Sequence, residues 1–433
     1  MREKTKKCVI TLAGCLLLLP ATAQADDFLG WQLTAGGEER ARYEYKDNFD
    51  YKTGKQTDNS QLWNRLRLNA KATLADEYLD PKLDVFIEGL DAQVVGYQTA
   101  AALGQKDNLD LHQAYVSAYN VLGTPADVRL GRMELKYGAG RLIAAPTWAN
   151  RIRAFDGGTI HLRQGGLWGD VIYGQDVKYD DRNLNRSTGN EYLSGFYGGY
   201  QEHKMAPLVE AYLLKMRDTS KTNDIERYTA GVRLQKNFGN GLVAEVELPF
   251  QFGDTGTTVS QKKIRAYAFH ADVKKAWGDV TWKPLLSVAY DRASGDRNKN
   301  DGTSNTFVPL YQSTHDPYGL LDLVRWQNMH NLETGVTFSP TEKFKFTPQV
   351  DMLWLDSRND AWYSSSGGTV RANAAGAPAS YIGTELSLRG YYSFNDNVNL
   401  EAGYAHFVPG EYTRKSGPHD SVDWFYTQVA IKF

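Results

Sequence analysis

The last ten residues, 424–433, alternate between two sets of side chains with a period of two. One set is Phe425, Thr427, Val429, Ile431 and Phe433, and the other includes Trp424, Tyr426, Gln428 and Lys432. Because successive side chains of a β-strand point to opposite sides of a sheet, this alternation predicts a terminal strand with one apolar and one more polar face. Such a strand fits a membrane barrel, and it also fits the end of a soluble sandwich.

Connectors of two lengths separate further segments of the same kind. Short links at 76–81, 123–125, 165–166, 204–206, 239–241, 276–279, 340–343 and 395–397 alternate with long polar stretches near 47–61, 93–108, 138–152, 179–190, 218–224, 255–261, 293–327, 357–380 and 410–421. A soluble sandwich has no reason to sort its loops by length onto alternate ends, whereas outer-membrane barrels do. The sequence therefore predicts an all-β, antiparallel transmembrane β-barrel of about 18 strands, with long outer loops and short periplasmic turns.

The first residues predict export from the cytoplasm. A basic start is followed by an apolar run from Cys8 through Leu19, and Ala23-Gln24-Ala25 provides a cleavage site, so we expect a secretory signal peptide over 1–25. The apolar run is too short for a transmembrane anchor. Leu12-Ala13-Gly14-Cys15 has the shape of a lipobox, but the residues that follow remain apolar. Residues 26–433 are then one barrel domain, which contains no cysteine for disulfides or thiolate metal sites.

Composition alone leaves two classes of protein open. The chain has 26 Tyr, 10 Trp and 40 Gly, with a formal net charge of −2. These values suit a barrel with aromatic girdles, and they also suit a secreted carbohydrate-binding β-protein. The pattern of strands and connectors favours the barrel, and a barrel of this size leaves an aqueous lumen unless loops fill it.

Charged residues follow the polar faces of the predicted strands. Since charges on the lipid face would cost several kcal/mol each near the midplane, these rows should face the lumen. They could form salt bridges that stiffen the wall, or a surface that selects anions through arginine. A bulge predicted at Gly131 would turn Arg132, Glu134 and Lys136 inward, with Met133 and Leu135 facing lipid. The other candidates are Arg40, Arg42, Arg65, Arg67, Arg151, Arg153 and Glu385, of which Arg151 and Arg153 are placed on the strand that carries His161 and Arg163.

An enzyme is the alternative from another class. The sequence has no Gly-x-Ser-x-Gly elbow, no His-Glu-x-x-His pair and no phosphate-cradling loop. His315-Asp316 and His419-Asp420 fall in predicted outer loops, where adventitious roles are expected. A barrel lipase or deacylase stays open because its residues would be scattered along the chain. We expect no catalytic residue, cofactor, metal or nucleic-acid partner.

An ordered set of motifs resembles the alginate-export porin family. The set comprises Asp110-Leu111-His112-Gln113-Ala114-Tyr115, Gly131-Arg132-Met133-Glu134-Leu135, Arg141-Leu142-Ile143, Asn150, Arg153-Ala154-Phe155-Asp156-Gly157, Ala293-Ser294-Gly295-Asp296, Tyr318-Gly319 with Asp322, Gly383-Thr384-Glu385-Leu386 and Phe407-Val408-Pro409-Gly410-Glu411-Tyr412. The resemblance covers nearly all of the chain after the signal peptide. It implies an 18-stranded outer-membrane barrel with an arginine-lined constriction that passes the polyuronate alginate by diffusion.

Carried over to this chain, the resemblance implies that Arg132 lies at the constriction, with Arg153 and Arg325 as further pore residues. One segment departs from the family pattern. Where the best-known alginate exporters have two arginines on the penultimate strand, this chain has Asn399-Leu400-Glu401-Ala402. A carboxylate at this point weakens the local anion site, so the permeant need not be alginate itself.

The leading hypothesis is a passive channel in the bacterial outer membrane for an anionic polysaccharide or uronate oligomer. Its partners would be the saccharide, the outer-membrane lipids, the barrel-assembly machinery and periplasmic export components. The alternative within transport is a general or nutrient-specific porin that imports small sugars or uronates.

Overall fold

The computed structural model describes residues 30–47, 50–55, 58–74, 82–96, 105–220, 223–257, 259–313, 315–372 and 376–433. The predicted signal peptide and its lipobox-like segment lie outside these residues. Within the described ranges, no helix is long and apolar enough to cross a membrane.

Eighteen long strands form one sheet, and we number them β1 to β18. They are β1 Trp31–Asp47, β2 Asn59–Leu74, β3 Lys82–Gly96, β4 Asp107–Tyr119, β5 Ala126–Met133, β6 Phe155–Gln164, β7 Leu167–Lys178, β8 Arg186–Tyr200, β9 Leu208–Asp218, β10 Ile225–Gly239, β11 Leu242–Thr257, β12 Ser260–Ala276, β13 Leu285–Ala293, β14 Met329–Thr337, β15 Phe344–Trp354, β16 Tyr381–Ser393, β17 Val398–Pro409 and β18 Val422–Lys432.

The sheet closes on itself. Each long strand pairs antiparallel with the next, and β1 pairs with β18 as well as with β2. At the closure Gly37 donates its N–H to the carbonyl of Phe433 at 2.8 Å, and the N–H of Phe433 returns to the carbonyl of Gly37 at 3.1 Å. The predicted 18-stranded barrel is confirmed, and its terminal aromatic residue completes the ladder that joins the two ends of the chain.

Short elements decorate the connectors. A two-residue strand, Thr303–Ser304, pairs in parallel with β12, and Ala361–Tyr363 forms a hairpin with Thr369–Ala372. A 3-10 turn, Val121–Gly123, joins β4 to β5, and the helix α1, Glu411–Ser416, follows β17. The long loop expected at 255–261 is wrong, because β11 continues to Thr257 and β12 begins at Ser260.

The outer surface is apolar, as contact with lipid requires. Leu130, Phe250 and Leu388 on three different strands are 61%, 55% and 48% exposed. Strands 191–203, 206–217 and 262–275 are ambiguous in sequence, and the structure assigns their faces. Phe196, Leu213, Tyr267 and Val273 face out, whereas Leu193, Tyr197, Tyr212 and His270 are buried inside.

The core of the protein lies inside the barrel, because two long loops fold into the lumen. The 134–154 loop and the 294–328 loop supply many members of the main buried apolar cluster. They also pair with each other, since Ala144 donates its N–H to the carbonyl of Tyr311 at 2.9 Å and Tyr311 donates to the carbonyl of Leu142 at 2.7 Å. The lumen is therefore narrowed by two segments that hold each other in place.

Candidate permeation path

Three of the predicted selectivity arginines hold the 134–154 loop against the wall. Arg40, Arg42 and Arg65, on β1 and β2, are each 2% exposed. Arg40 donates to the carbonyls of Thr147 and Trp148, both at 2.8 Å. Arg65 donates to the carbonyl of Thr147 at 2.6 Å. Arg42 donates to the carbonyl of Trp148 at 2.8 Å and lies 3.7 Å from the centre of its ring.

These bonds explain why the sequence concentrates arginine on β1 and β2. A loop that enters a barrel brings carbonyl groups which need donors, and a guanidinium offers five N–H groups in a fixed fork. Burial in low dielectric strengthens such bonds. The three arginines are thus loop anchors, whose guanidinium groups are already hydrogen-bonded to the protein.

Arg67 and Glu134 meet in a second buried network. Arg67 donates to Glu88 at 2.8 Å and to Glu134 at 2.9 Å. His112 lies 2.8 Å from the same oxygen of Glu134. Glu88, His112 and Glu134 are spaced closely enough to hold a metal ion, but Arg67 already brings a positive charge to both carboxylates.

Arg132 lies on the outer side of the barrel wall. β5 keeps a one-to-one register with β4 through Gly131, which places Arg132 opposite Ala114. Arg132 therefore shares the face of Leu130, and its guanidinium pairs with Asp156 at 2.7 Å. The predicted bulge at Gly131 is absent from this register, so the inward position predicted for Arg132 is wrong.

The same register corrects the positions of two neighbours of Arg132. Met133 and Leu135 are 1% and 6% exposed, and both belong to the core inside the barrel. The prediction that they face lipid is therefore wrong. Without an extra residue at Gly131, the alternation of the strand continues unchanged and turns Met133 inward.

Arg151 and Arg153 lie in the 134–154 loop, because β6 begins only at Phe155. Their predicted placement on a strand is wrong. The Arg151 guanidinium lies 4.6 Å from the centre of the Tyr179 ring, and burial lowers its pKa. Arg153 donates to the carbonyl of Tyr311 at 2.8 Å, and its Nε is 3.8 Å from Asp176.

Arg153, Arg227 and Arg325 form what we call the cationic cluster. Arg227 projects inward from β10 and is 5% exposed, and Arg325 belongs to the 294–328 loop. Arg325 donates to the carbonyl of Pro309 at 2.9 Å. Burial, followed by the nearby charges of Arg227 and Arg153, lowers the pKa of Arg325 to about 10. It therefore remains charged at neutral pH.

The charge of this cluster is poorly balanced. Within the described part of the chain, no carboxylate forms an ion pair with Arg227 or Arg325, and the Nε atom of each has no hydrogen-bond partner. A buried charge without a partner is costly, so such a group needs water or an anion. The cluster is thus the part of the described lumen best suited to attract negative charge.

Glu385 anchors the 294–328 loop. Its side chain is fully buried on β16 and accepts the N–H of Leu320 at 2.6 Å and that of Leu321 at 3.2 Å. Gly319, just before these residues, has a positive φ of 89°, and a Cβ there would lie 2.6 Å from the carboxylate. The glycine and the glutamate together fix this turn inside the barrel.

Arg141 ties the 134–154 loop to the opposite wall. It pairs with Glu245 at 2.6 Å and with Glu247 at 2.9 Å. Burial alone would lower the pKa of Arg141, but Glu247 and Glu245 raise it above its usual value. Glu245, His270 and Asp272 also have metal-like spacing, and here too an arginine brings the positive charge.

Open space remains between the loops and the periplasmic half of the wall. One cavity of about 360 Å³ is lined by Lys136, Arg141, Lys274 and Glu333 among others. Cavities of about 300 Å³ flank it on two sides, one sharing Lys136 and the other sharing Asp316. Their walls carry both signs of charge, so a solute in this space meets carboxylates as well as cations.

Sequence reasoning missed Arg141 and Arg129 as site residues. In the sequence, Arg141 stands out only as part of the family motif Arg141-Leu142-Ile143. Its contact with β11 depends on the path of the 134–154 loop, which the alternation of the strands does not reveal. Arg129 shares the inward face of Met133, and because it precedes Gly131 the alternation of the strand already places it inward. The alternation of β10 places Arg227 on the inward face, but the absence of a carboxylate partner in the described residues is visible only in three dimensions.

Solved structures with the same fold are outer-membrane porins. Acinetobacter baumannii OccAB1 has a TM-score of 0.64 at 11% identity, with 95% of this chain and 99% of that chain covered. Pseudomonas aeruginosa OccK3 (OpdO) has a TM-score of 0.58 at 14% identity, with 92% and 95% covered. Pseudomonas aeruginosa OpdK, solved with vanillate, has a TM-score of 0.60 at 9% identity, with 92% and 98% covered.

No curated protein sequence matches this chain. The family described as alginate export matches residues 31–427, nearly the whole of the described barrel. Together with the closed barrel, this match places the protein in the bacterial outer membrane as a channel. The chain belongs to the alginate export family.

Proposed function

We propose that this channel passes uronate-bearing saccharides across the outer membrane by passive diffusion, with the cationic cluster as its anion-attracting element. The observation that carries the proposal is the pair Arg227 and Arg325, charged and enclosed without a carboxylate partner in the described residues. A permeating carboxylate would supply the missing partner, and the planar fork of arginine suits it.

The rest of the lumen supports exchange rather than permanent capture. The cavities beyond the cluster are lined by both cations and carboxylates. Conduction requires binding that is strong enough for entry and weak enough for release. Carboxylates such as Asp272 and Asp316 repel the uronate charge while accepting hydrogen bonds from its hydroxyl groups.

Substitution of the cluster tests this proposal in planar bilayers. We expect the wild-type reversal potential under a KCl gradient to show a preference for anions. Arg227→Gln together with Arg325→Gln should lower that preference, because two uncompensated positive charges leave the lumen. Arg132→Gln is the matched control, since Arg132 lies on the outer side of the wall and pairs with Asp156. A wild-type channel without anion preference, or a double variant that keeps it, would contradict the proposal.

Import of small sugars or acids is a second candidate. The observation that favours it is the pair of mutually hydrogen-bonded loops in the lumen, which leave cavities of about 300 to 360 Å³. Spaces of this size suit single rings better than a thick polymer. Liposome swelling separates the two candidates, since a small-solute porin should pass neutral monosaccharides as fast as uronates.

A further inference from the structure

One cavity on the periplasmic side has a distinct chemistry. It lies between the periplasmic halves of strands β4 to β7 and the start of the 134–154 loop, and its volume is about 300 Å³. We call it the wall cavity. Arg129, Lys136, Tyr119 and Tyr137 line it, together with Asp127, Glu134 and Asp170. Ligand pockets begin at about 300 Å³, so a space of this size accommodates one sugar ring.

The carboxylates of the wall cavity already have partners. Asp127 forms an ion pair with Arg163, and Asp170 lies 2.7 Å from the imidazole of His161. Glu134 accepts from Arg67 at 2.9 Å, and His112 lies 2.8 Å from it. None of these three carboxylates forms an ion pair with Arg129 or Lys136, so the two cations are available to bind a ligand.

Arg129 and Lys136 have no carboxylate partner in the described residues. Arg129 donates through Nε to the hydroxyl of Ser117 at 3.1 Å, and its guanidinium lies 4.6 Å from the centre of the Tyr115 ring. These contacts fix the direction of the side chain and leave its remaining N–H groups for a ligand. Lys136 is exposed in the loop and reaches the wall cavity from the other side.

Aromatic rings border the same space. Tyr137 packs against Tyr197 with ring centres 5.0 Å apart, which holds its phenol ring in place. Tyr119 is held by a hydrogen bond from its hydroxyl to Asp84 at 2.8 Å. Rigid aromatic side chains offer contact area at little conformational cost, and pyranose rings have an apolar face that packs on them.

We propose that the wall cavity is a binding site for one uronate ring, in which Arg129 and Lys136 bind the carboxylate and Tyr137 contacts the sugar face. This site rests on the proposed function and deepens it. It lies on the periplasmic side of the two loops, apart from the cationic cluster, so a permeant would meet two successive anion sites. A saccharide chain that threads the constriction would therefore be bound at a second point, on the periplasmic side.

Equilibrium binding tests the site without relying on transport. The probe is glucuronate, measured by calorimetry on the full-length barrel in nanodiscs, with glucose as the neutral probe. We expect Arg129→Gln with Lys136→Gln to weaken glucuronate binding about tenfold, as loss of charged hydrogen bonds implies, and to leave glucose binding unchanged. Lys136→Gln alone, at an exposed position, guards against a failure of the double variant to fold and should give a smaller loss.

Lys274→Gln is the matched control, because Lys274 is an exposed lumenal lysine that lines the neighbouring cavity instead. Equal glucuronate affinity in the wild type and in both wall-cavity variants would overturn the site. An equal loss in the Lys274 variant would also overturn it, since the effect would then reflect overall lumenal charge. Failure of the proposed function is a separate result, visible as a wild-type channel that shows no anion preference in bilayers.

Discussion

Replacing Arg40 and Arg65 together by alanine is expected to release the 134–154 loop and enlarge the conductance of the channel. The two guanidinium groups donate to the carbonyls of Thr147 and Ala149 and, from Arg40, to the side chain of Asn150 at 2.6 Å. Hydrogen bonds to charged groups contribute about 1.5 to 3 kcal/mol each. Loss of several should therefore cost the docked loop on the order of several kcal/mol. The bonds from Arg42 to Trp148 and from the Asn150 amide to the carbonyls of Asn64 and Gln93 remain on this side of the wall.

Single-channel recording measures this effect directly. The double variant should show a larger and noisier conductance than the wild type, because a loop that leaves the wall opens the lumen. Arg163→Ala provides the control, since Arg163 is an inward arginine on β6 that pairs with Asp127 and makes no contact with the loop. Wild-type conductance in a folded double variant would show that Arg40 and Arg65 do not hold the loop.

Glu385→Ala should have the second large effect, at the other loop. The buried carboxylate accepts the N–H groups of Leu320 and Leu321, and no other acceptor for them is created when it is removed. Each buried N–H that loses its partner costs about 1 to 3 kcal/mol. The turn around Gly319 should therefore loosen and separate from β16, while the barrel itself remains folded.

Limited proteolysis of the purified barrel detects the loosened turn, and bilayer recording should show more frequent transitions between conductance levels. Glu401→Ala is the control, because Glu401 accepts from Tyr426 at 2.6 Å within the wall and forms no hydrogen bond to the described residues of either loop. Protease resistance of the 294–328 loop equal to that of the wild type would contradict the anchoring role of Glu385.

The barrel could be predicted from the sequence because its constraints are local. Alternation with a period of two and connectors of two lengths are both visible in the sequence. The alternation arises because one face of each strand contacts lipid and the other faces the lumen. The error at Gly131 shows the limit of this reasoning. A bulge shifts every later side chain to the other face, so one wrong assumption misplaced Arg132, Met133 and Leu135 together.

The path of the loops could not be predicted. Arg40, Arg42 and Arg65 lie on the inward faces of β1 and β2, but alternation does not reveal that loop carbonyls occupy their guanidinium groups. The unpaired state of Arg227 and Arg325 likewise depends on which carboxylates lie near them in space. Inward arginines thus divide into those that anchor the 134–154 loop and those, Arg227 and Arg325, without a carboxylate partner in the described residues. Only the three-dimensional contacts separate the two groups.

Flux of labelled oligouronates through the purified channel in proteoliposomes tests the central claim most directly. The comparison is with a neutral oligosaccharide of the same length, so that size is matched and only charge differs. We predict faster entry of the oligouronate, and loss of this difference in the Arg227→Gln, Arg325→Gln variant. Equal entry of the two saccharides through the wild-type channel would contradict the account.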